Sequence, residues 1–277
     1  MSIGTKKIAI VASEGGISCA YSVGAILALV EKFNLVNPYL VIGSSGSTGT
    51  FAYYVAGQYE SIRNIWENLL PSKKFISHLR LNRIMDIDYL IDEIFKKQDT
   101  LNVKNIKLSK IKFYISATNI ETGNPEYFGN QKDVDIFEAL RASSAAPIVY
   151  NKLVNINGNK YIDGAIGAPL SVNIEKAKKE GAEIIIVIDN SNYSFVSNTL
   201  LKLYSLFKSK SFRNQVKSFS KHEKYQNDDK QVLIIKPSVS LPISAWDNKQ
   251  EHITRTIQIG YNDVVNKSTL IKELLFT

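Results

Sequence analysis

One cysteine, two methionines, two tryptophans and three histidines are all that a sequence of 277 residues contains of these types. The single thiol, Cys19, excludes an intramolecular disulfide and any zinc site built from several thiolates, and it suits a reducing compartment. His78, His222 and His252 fall in neither a strand end nor a glycine turn, so each reads as a surface or packing residue and none as a general base. No segment approaches the ~20 apolar residues of a membrane-spanning helix. The first residues, MSIGTKKIAIVAS, lack the long apolar core of a secretory signal. A cytoplasmic protein is expected, with peripheral membrane contact or export by a signal-independent route left open. Internal repeats and low-complexity tracts are absent, and nothing calls for a metal or cofactor.

The charge is lopsided. Lys and Arg number 34 against 26 Asp and Glu, a net +8, which suits a partner bearing phosphate, either nucleic acid or an anionic membrane surface. No nucleic-acid module is recognisable, so a nucleic-acid partner is not expected. A lysine-rich proteome would give many ordinary enzymes the same balance.

Apolar content of 44% supports a large core, read as one domain over residues 1–277. KIAIVAS (7–13) and YLVIG (39–43) are short apolar runs bounded by turn residues, and so buried strands; residues 19–33 between them have helical periodicity. Helices are further expected at about 47–56, 60–70, 86–95, 137–147, 172–180 and 250–266, and strands at 112–119, 159–165, 183–189 and 231–237. Such alternation predicts an α/β fold with a doubly wound, mostly parallel sheet between helical layers, its chemistry at the carboxyl ends of the strands. Residues 197–226, where Leu, Phe and Tyr interleave with Lys, read either as a basic helical segment that contacts membranes or as a solvated helix covering the core.

At VIGSSGST (41–48) a buried strand gives way to small polar residues where a helix begins. A serine on such a bend has its hydroxyl pushed out of the sheet and into a cleft. In the frame GxSxG the exposed residue is Ser45, with Ser47 where the last glycine usually stands; the extra side chain costs about 1 kcal/mol. The competing reading is a helix cap. Gly15 and Gly16, between the first strand and the first helix, expose backbone N–H groups at a helix N-terminus and suit an oxyanion; neither GxGxxG nor GxxxxGK(S/T) can be written there for a nucleotide phosphate. Asp163 closes a strand in a DGA turn, either aimed at a cleft or capping its own backbone.

Together these segments resemble the patatin family of lipid acyl hydrolases. The glycine turn with AYSVGAILAL resembles its oxyanion loop and first helix, and GSSGS its nucleophile elbow. SATNIETGNPEYF, ALRASSAAPIVY and KYIDGAIGAPLSV follow in the family's order, the last carrying its DG(G/A) motif. The resemblance implies a three-layer α/β/α fold and a Ser–Asp dyad without histidine. Ser45 would be the nucleophile, Asp163 the base and then the acid, and the N–H groups of Gly15, Gly16 and Ile17 the oxyanion hole. The implied substrate is a phospholipid or other fatty acyl ester, cleaved in the manner of a phospholipase A or lysophospholipase through an acyl-Ser45 intermediate. The family's loop usually reads GGGx(R/K)G, whereas this chain has Glu14, Ser18 and Cys19 at the first, basic and last positions. With Ser47, those departures motivate an alternative: a weakened or silent module that binds membranes or proteins. Cys19 itself is read as a core residue, with no base near it.

Overall fold

The computed structural model describes residues 6–80, 83–147, 149–190, 205–206, 208–219, 229 and 231–276. Its sheet has eight strands: β1 Ile8–Ala12, β2 Leu40–Gly43, β3 Lys112–Asn119, β4 Pro125–Phe128, β5 Val154–Ile156, β6 Asn159–Asp163, β7 Ile184–Ile188 and β8 Val232–Ile235. The order is β5-β6-β3-β2-β1-β7-β8, with β4 also paired to β3. Strands β3, β2, β1, β7 and β8 run parallel, while β4 and β6 run antiparallel to β3 and β5 antiparallel to β6. The order in which strands are added reverses at β1, whose neighbours are β2 on one side and β7 on the other, so a crevice opens at its carboxyl end.

Alternation along β1 builds the two cores. Ile8, Ile10 and Ala12 face one cluster with helix α1 (Ala20–Phe33), and Ala9 and Val11 face another on the opposite side of the sheet, with Ile174 and Ala177. The helices that matter to the site are α2 (Gly46–Val55), α5 (Ile136–Ser143), α6 (Gly164–Gly167) and α7 (Leu170–Lys179), α3 and α4 being Tyr59–Asn64 and Val103–Leu108. Helices α8 (Lys210–Phe219), α9 (Gln250–Asn266) and α10 (Ser268–Phe276) follow. α1 and α9 cross at glycines: a Cβ on Gly24 would lie 1.8 Å from the Ile257 carbonyl oxygen, so the two backbones touch. By length and hydropathy Gly16–Phe33 would pass for a membrane-crossing helix, a stretch the composition did not single out; here 78% of it is buried as the core helix.

Most elements fall where hydrophobic periodicity places them, with two corrections. The helix expected over 137–147 stops at Ser143, because the Ala145 carbonyl accepts the Asp163 N–H at 3.0 Å and draws the chain toward β6. The one expected over 86–95 is a π-helical segment, Tyr89–Gln98, with Asp86 ahead of it accepting the Tyr89 N–H at 3.0 Å. Of the basic stretch, residues 197–204, 207 and 220–226 lie outside the described residues. Within α8, Phe212 is buried against Ile120, Ile162 and Ile166, and Ser211 Oγ donates to the Thr122 carbonyl at 3.1 Å, so this part of the stretch covers the core.

Candidate active site

Strand β2 ends at Gly43 and α2 begins at Gly46, which leaves two residues to turn the chain. Ser45 does so at φ 55°, ψ −130°, a conformation that a residue with a side chain adopts only when its surroundings impose it. A Cβ on Gly46 would lie 2.6 Å from the Gly16 carbonyl oxygen, so the bend and the glycine loop meet backbone to backbone.

The Ser45 hydroxyl does not cap α2. It donates to Asp163 Oδ2 at 2.7 Å, and the Ser45 N–H donates to Ser143 Oγ at 3.1 Å. Ser47, the residue in place of a glycine, is accommodated: its Oγ accepts the Ser44 N–H at 3.1 Å and donates to the Ser44 carbonyl at 2.9 Å. Ser44 turns the other way, sharing a hydrogen bond with Ser116 Oγ at 2.6 Å and accepting from Asn173 Nδ2 at 2.9 Å. Neighbouring serines thus divide the labour, one bracing the bend and the other facing the carboxylate.

Strand β3 sets the distance between hydroxyl and carboxylate. Gly43 pairs with Ile115 and Asp163 with Ala117, two residues further along the same strand, a step of about 7 Å. Thr118 Oγ1 donates to the Asp163 carbonyl at 2.6 Å and fixes the end of β6. Asp163 plays both parts that its DGA turn suggests: Oδ1 caps α6 through the Ala165 N–H at 2.9 Å, while Oδ2 receives Ser45. Burial pushes the Asp163 carboxyl up to about 7, against the pull of the Ser45 hydroxyl and the Ala165 N–H, which favour the carboxylate.

The glycine loop follows β1. Gly15 (φ 156°) and Gly16 (φ 56°) take backbone conformations that disfavour a side chain, and no acceptor among the described residues takes either N–H. The Ile17 amide differs from the expectation: it donates to the Ala245 carbonyl at 3.0 Å, so of the three amides only those of Gly15 and Gly16 are uncommitted. Ile17 instead contributes to the wall of the cavity described below. Cys19 lies buried beneath the loop, its thiol raised by burial, then by the charges of Glu14 and Asp163, so it is a weak nucleophile.

One residue with no signal in the sequence holds this loop. Asn190, just past β7, is buried; its Oδ1 accepts the Ser22 N–H at 3.0 Å and its Nδ2 donates to the Ser13 carbonyl at 2.7 Å. The Asn190 N–H adds a bond to Ser13 Oγ at 2.8 Å. Ser13 precedes the glycines and Ser22 follows them, so one carboxamide clasps the loop from both sides.

Ser45, Gly16 and Gly46 open onto a cavity. Beyond them the walls are almost wholly apolar, with Trp66, Phe75, Ile91, Phe95 and Leu140 prominent. The wall from residues 85–95 is fastened to α5 by Arg141, which bonds Asp88 at 2.5 Å, Asp92 at 2.8 Å and Glu138 at 3.1 Å. Burial raises the Asp88 and Asp92 carboxyls, but hydrogen bonds from Lys152 and Tyr150 to Asp88 and from Lys96 and Arg141 to Asp92, with the charges of these cations, hold both below their ordinary value. No histidine among the described residues reaches Ser45 or Asp163; His252 bonds Asp247 at 2.6 Å. Nor do the described residues contain a cluster of three metal-ligating side chains.

The family model for patatin-like phospholipases matches residues 13–174. An uncharacterized protein of Escherichia coli (strain K12), YjjU, is 26% identical over 188 residues, or 66% of this chain and 51% of that protein. The chain thus spans about half the length of that relative. Among solved structures, VipD from Legionella pneumophila superposes with a TM-score of 0.58 at 15% identity, covering 95% of this chain and 67% of VipD. Human GIVD cytosolic phospholipase A2, in complex with the inhibitor methyl gamma-linolenyl fluorophosphonate and terbium chloride, gives 0.56 at 12%, covering 97% and 59%. At these identities the likeness is one of fold.

Proposed function

Since this chain belongs to the patatin-like phospholipase family, we propose that it hydrolyses fatty acyl esters of phospholipids or related glycerolipids through an acyl-Ser45 intermediate. The observation that carries the reading is the 2.7 Å hydrogen bond from Ser45 Oγ to Asp163 Oδ2 at the mouth of an apolar cavity.

A serine hydroxyl is a poor nucleophile until a base takes its proton. Asp163 is that base. A carboxyl near 7 is partly ionised at neutral pH and is still basic enough to accept a proton in the transition state. As Oγ attacks the ester carbonyl, the proton passes to Oδ2, and the Gly15 and Gly16 amides receive the charge that develops on the carbonyl oxygen. Asp163 then returns the proton to the departing alcohol. Water, deprotonated by the same carboxylate, attacks the acyl carbonyl, and Asp163 passes that proton to Ser45 Oγ as the fatty acid leaves. The acyl chain lies in the cavity, where burial of its methylenes favours long chains by about 0.8 kcal/mol each. Phospholipase A and lysophospholipase activities both fit this arrangement.

A fluorophosphonate probe tests the reading directly: it is expected to label Ser45, and Ser45→Ala and Asp163→Asn are each expected to abolish release of fatty acid. Full activity in Ser45→Ala overturns the assignment. The negative charge of Glu14 beside the loop motivates the second reading, a weakened or silent module. Binding of lipid with neither labelling nor acyl release would establish it.

A further inference from the structure

Phe75 and Met85 line the cavity, and both belong to a small hairpin: the Asp86 N–H donates to the Phe75 carbonyl at 2.8 Å and the Ser77 N–H to the Ile84 carbonyl at 2.9 Å. At the far end of this hairpin Leu79 is 93% exposed. Lys73, Lys74 and His78 beside it are exposed as well. The hairpin's own arginines fold back and stiffen it. Arg80 and Arg83 each reach Asp86 Oδ2 at 3.0 Å, and Arg80 also donates to the carbonyls of Lys74 at 3.2 Å and Phe75 at 2.9 Å. That wrap ties the backbone of Lys73 and Lys74 to Arg80, the residue after Leu79. The Met85 N–H donates to the Val149 carbonyl at 3.1 Å and Lys152 bonds Asp88 at 2.5 Å, which ties a second exposed pair, Lys152 and Leu153, to the segment that follows Met85.

A leucine held almost fully in water by a braced turn is placed for something other than the core. Its setting says what. Among the described residues Arg80, Arg83 and Lys152 pair with Asp86 and Asp88, and with Lys73 and Lys74 these five cations outnumber the two carboxylates, leaving the surface cationic. Apolar side chains ringed by lysine and arginine suit the boundary between anionic headgroups and acyl chains. The same hairpin forms part of the cavity wall, so whatever Leu79 enters adjoins the cavity. Leu108 and Leu206 also stand exposed near lysines, but neither belongs to an element that lines the cavity.

We propose that residues 73–80 and 83–86, with Lys152 and Leu153, dock the protein onto an anionic bilayer and turn the cavity mouth toward it. The assignment rests on the acyl-hydrolase reading for the purpose of the contact, though not for the contact itself.

The test is co-sedimentation with vesicles of phosphatidylglycerol and phosphatidylcholine, in a Ser45→Ala background so that lipid is not consumed. The parent is expected to bind these vesicles, and to bind more weakly in high salt and to phosphatidylcholine alone. Leu79→Ser is expected to weaken binding about tenfold, and Lys73→Glu with Lys74→Glu at least tenfold with loss of most salt dependence. Leu108→Ser should change nothing. With Ser45 restored, all of these variants should hydrolyse a soluble short-chain ester at the parental rate. Unchanged vesicle binding in the hairpin variants, an equal loss in Leu108→Ser, or a parent that does not bind overturns the docking surface and leaves the hydrolase reading standing. Loss of binding in the hairpin variants, with no ester hydrolysis by the protein carrying Ser45, upholds the surface and sinks the hydrolase reading.

Discussion

Asn190 grips Ser13 twice: its Nδ2 donates to the Ser13 carbonyl at 2.7 Å and its N–H to Ser13 Oγ at 2.8 Å. Since the same side chain also accepts from Ser22, it spans the glycine loop, and the loop's two free amides inherit their position from it. Asn190→Ala is expected to lower kcat about ten- to hundredfold with little change in KM, because misplaced donors weaken only the transition state. Buried groups on Ser13 and Ser22 lose their partners, so stability falls by about 1–3 kcal/mol. Steady-state kinetics below the melting transition, together with the rate of fluorophosphonate labelling, separate the two effects. A stability loss with unchanged kcat would reduce Asn190 to a packing role.

Activity is expected to rise with pH through a single acid limb near 7, since Asp163 must be ionised to accept the Ser45 proton. Asparagine at His78 and at His252 should leave that limb in place. A profile of kcat/KM on a soluble ester checks both points. A limb that moves with either histidine would point to a different base.

The same burial has a thermodynamic signature. Asp163 ionises near its ordinary 3.8 when unfolded and near 7 when folded, so between those values the native state holds a proton that the unfolded state has lost. Stability contributed by this site therefore falls as pH rises from about 4 to 7 and is level above that. Asp163→Asn, which has no proton to lose, is expected to be more stable relative to the parent at pH 8 than at pH 4, by a few kcal/mol. Chemical denaturation at the two pH values measures the difference.

The cavity predicts chain-length selection. Ile91→Trp adds volume to a wall that also includes Phe95 and Leu140, and it is expected to cut hydrolysis of long-chain esters at least tenfold while sparing short ones. A series of p-nitrophenyl esters of increasing length reads this out. Equal loss at every length would mean that the acyl chain lies elsewhere.

Gly46 is tested by its neighbour. The Cβ of Gly46→Ala would meet the Gly16 carbonyl oxygen at 2.6 Å, and relief requires the bend and the glycine loop to part. Activity is expected to fall at least a hundredfold, with the far-ultraviolet circular dichroism unchanged. Parental activity would show that the loop is free to yield.

Much of this was legible in the residues. β3 and α9 fall at the expected bounds of 112–119 and 250–266, since a long run of β-formers and a long amphipathic period are strong local signals. β4 and β5 were not anticipated; PEYF and VNI are short, partly exposed segments whose pairing is decided by β3 and β6. Ser45 and Asp163 stood out because each closes a strand in a turn of small residues. Asn190 did not, as an asparagine after a hydrophobic strand looks like any turn, and its partners Ser13 and Ser22 come from the other end of the chain. The fate of the Ile17 amide was hidden for the same reason, its acceptor being Ala245.

Because hydroxyl and carboxylate are both referenced to β3, the connecting chain between them is not a measuring device. Lengthening the turns at 121–123 or 157–158 leaves Gly43 opposite Ile115 and Asp163 opposite Ala117, so the reacting pair should survive such insertions. A slip of two residues between β3 and β6 would carry the carboxylate about 7 Å away. Engineering of this scaffold therefore has freedom in its loops and almost none in the pairing of a single strand.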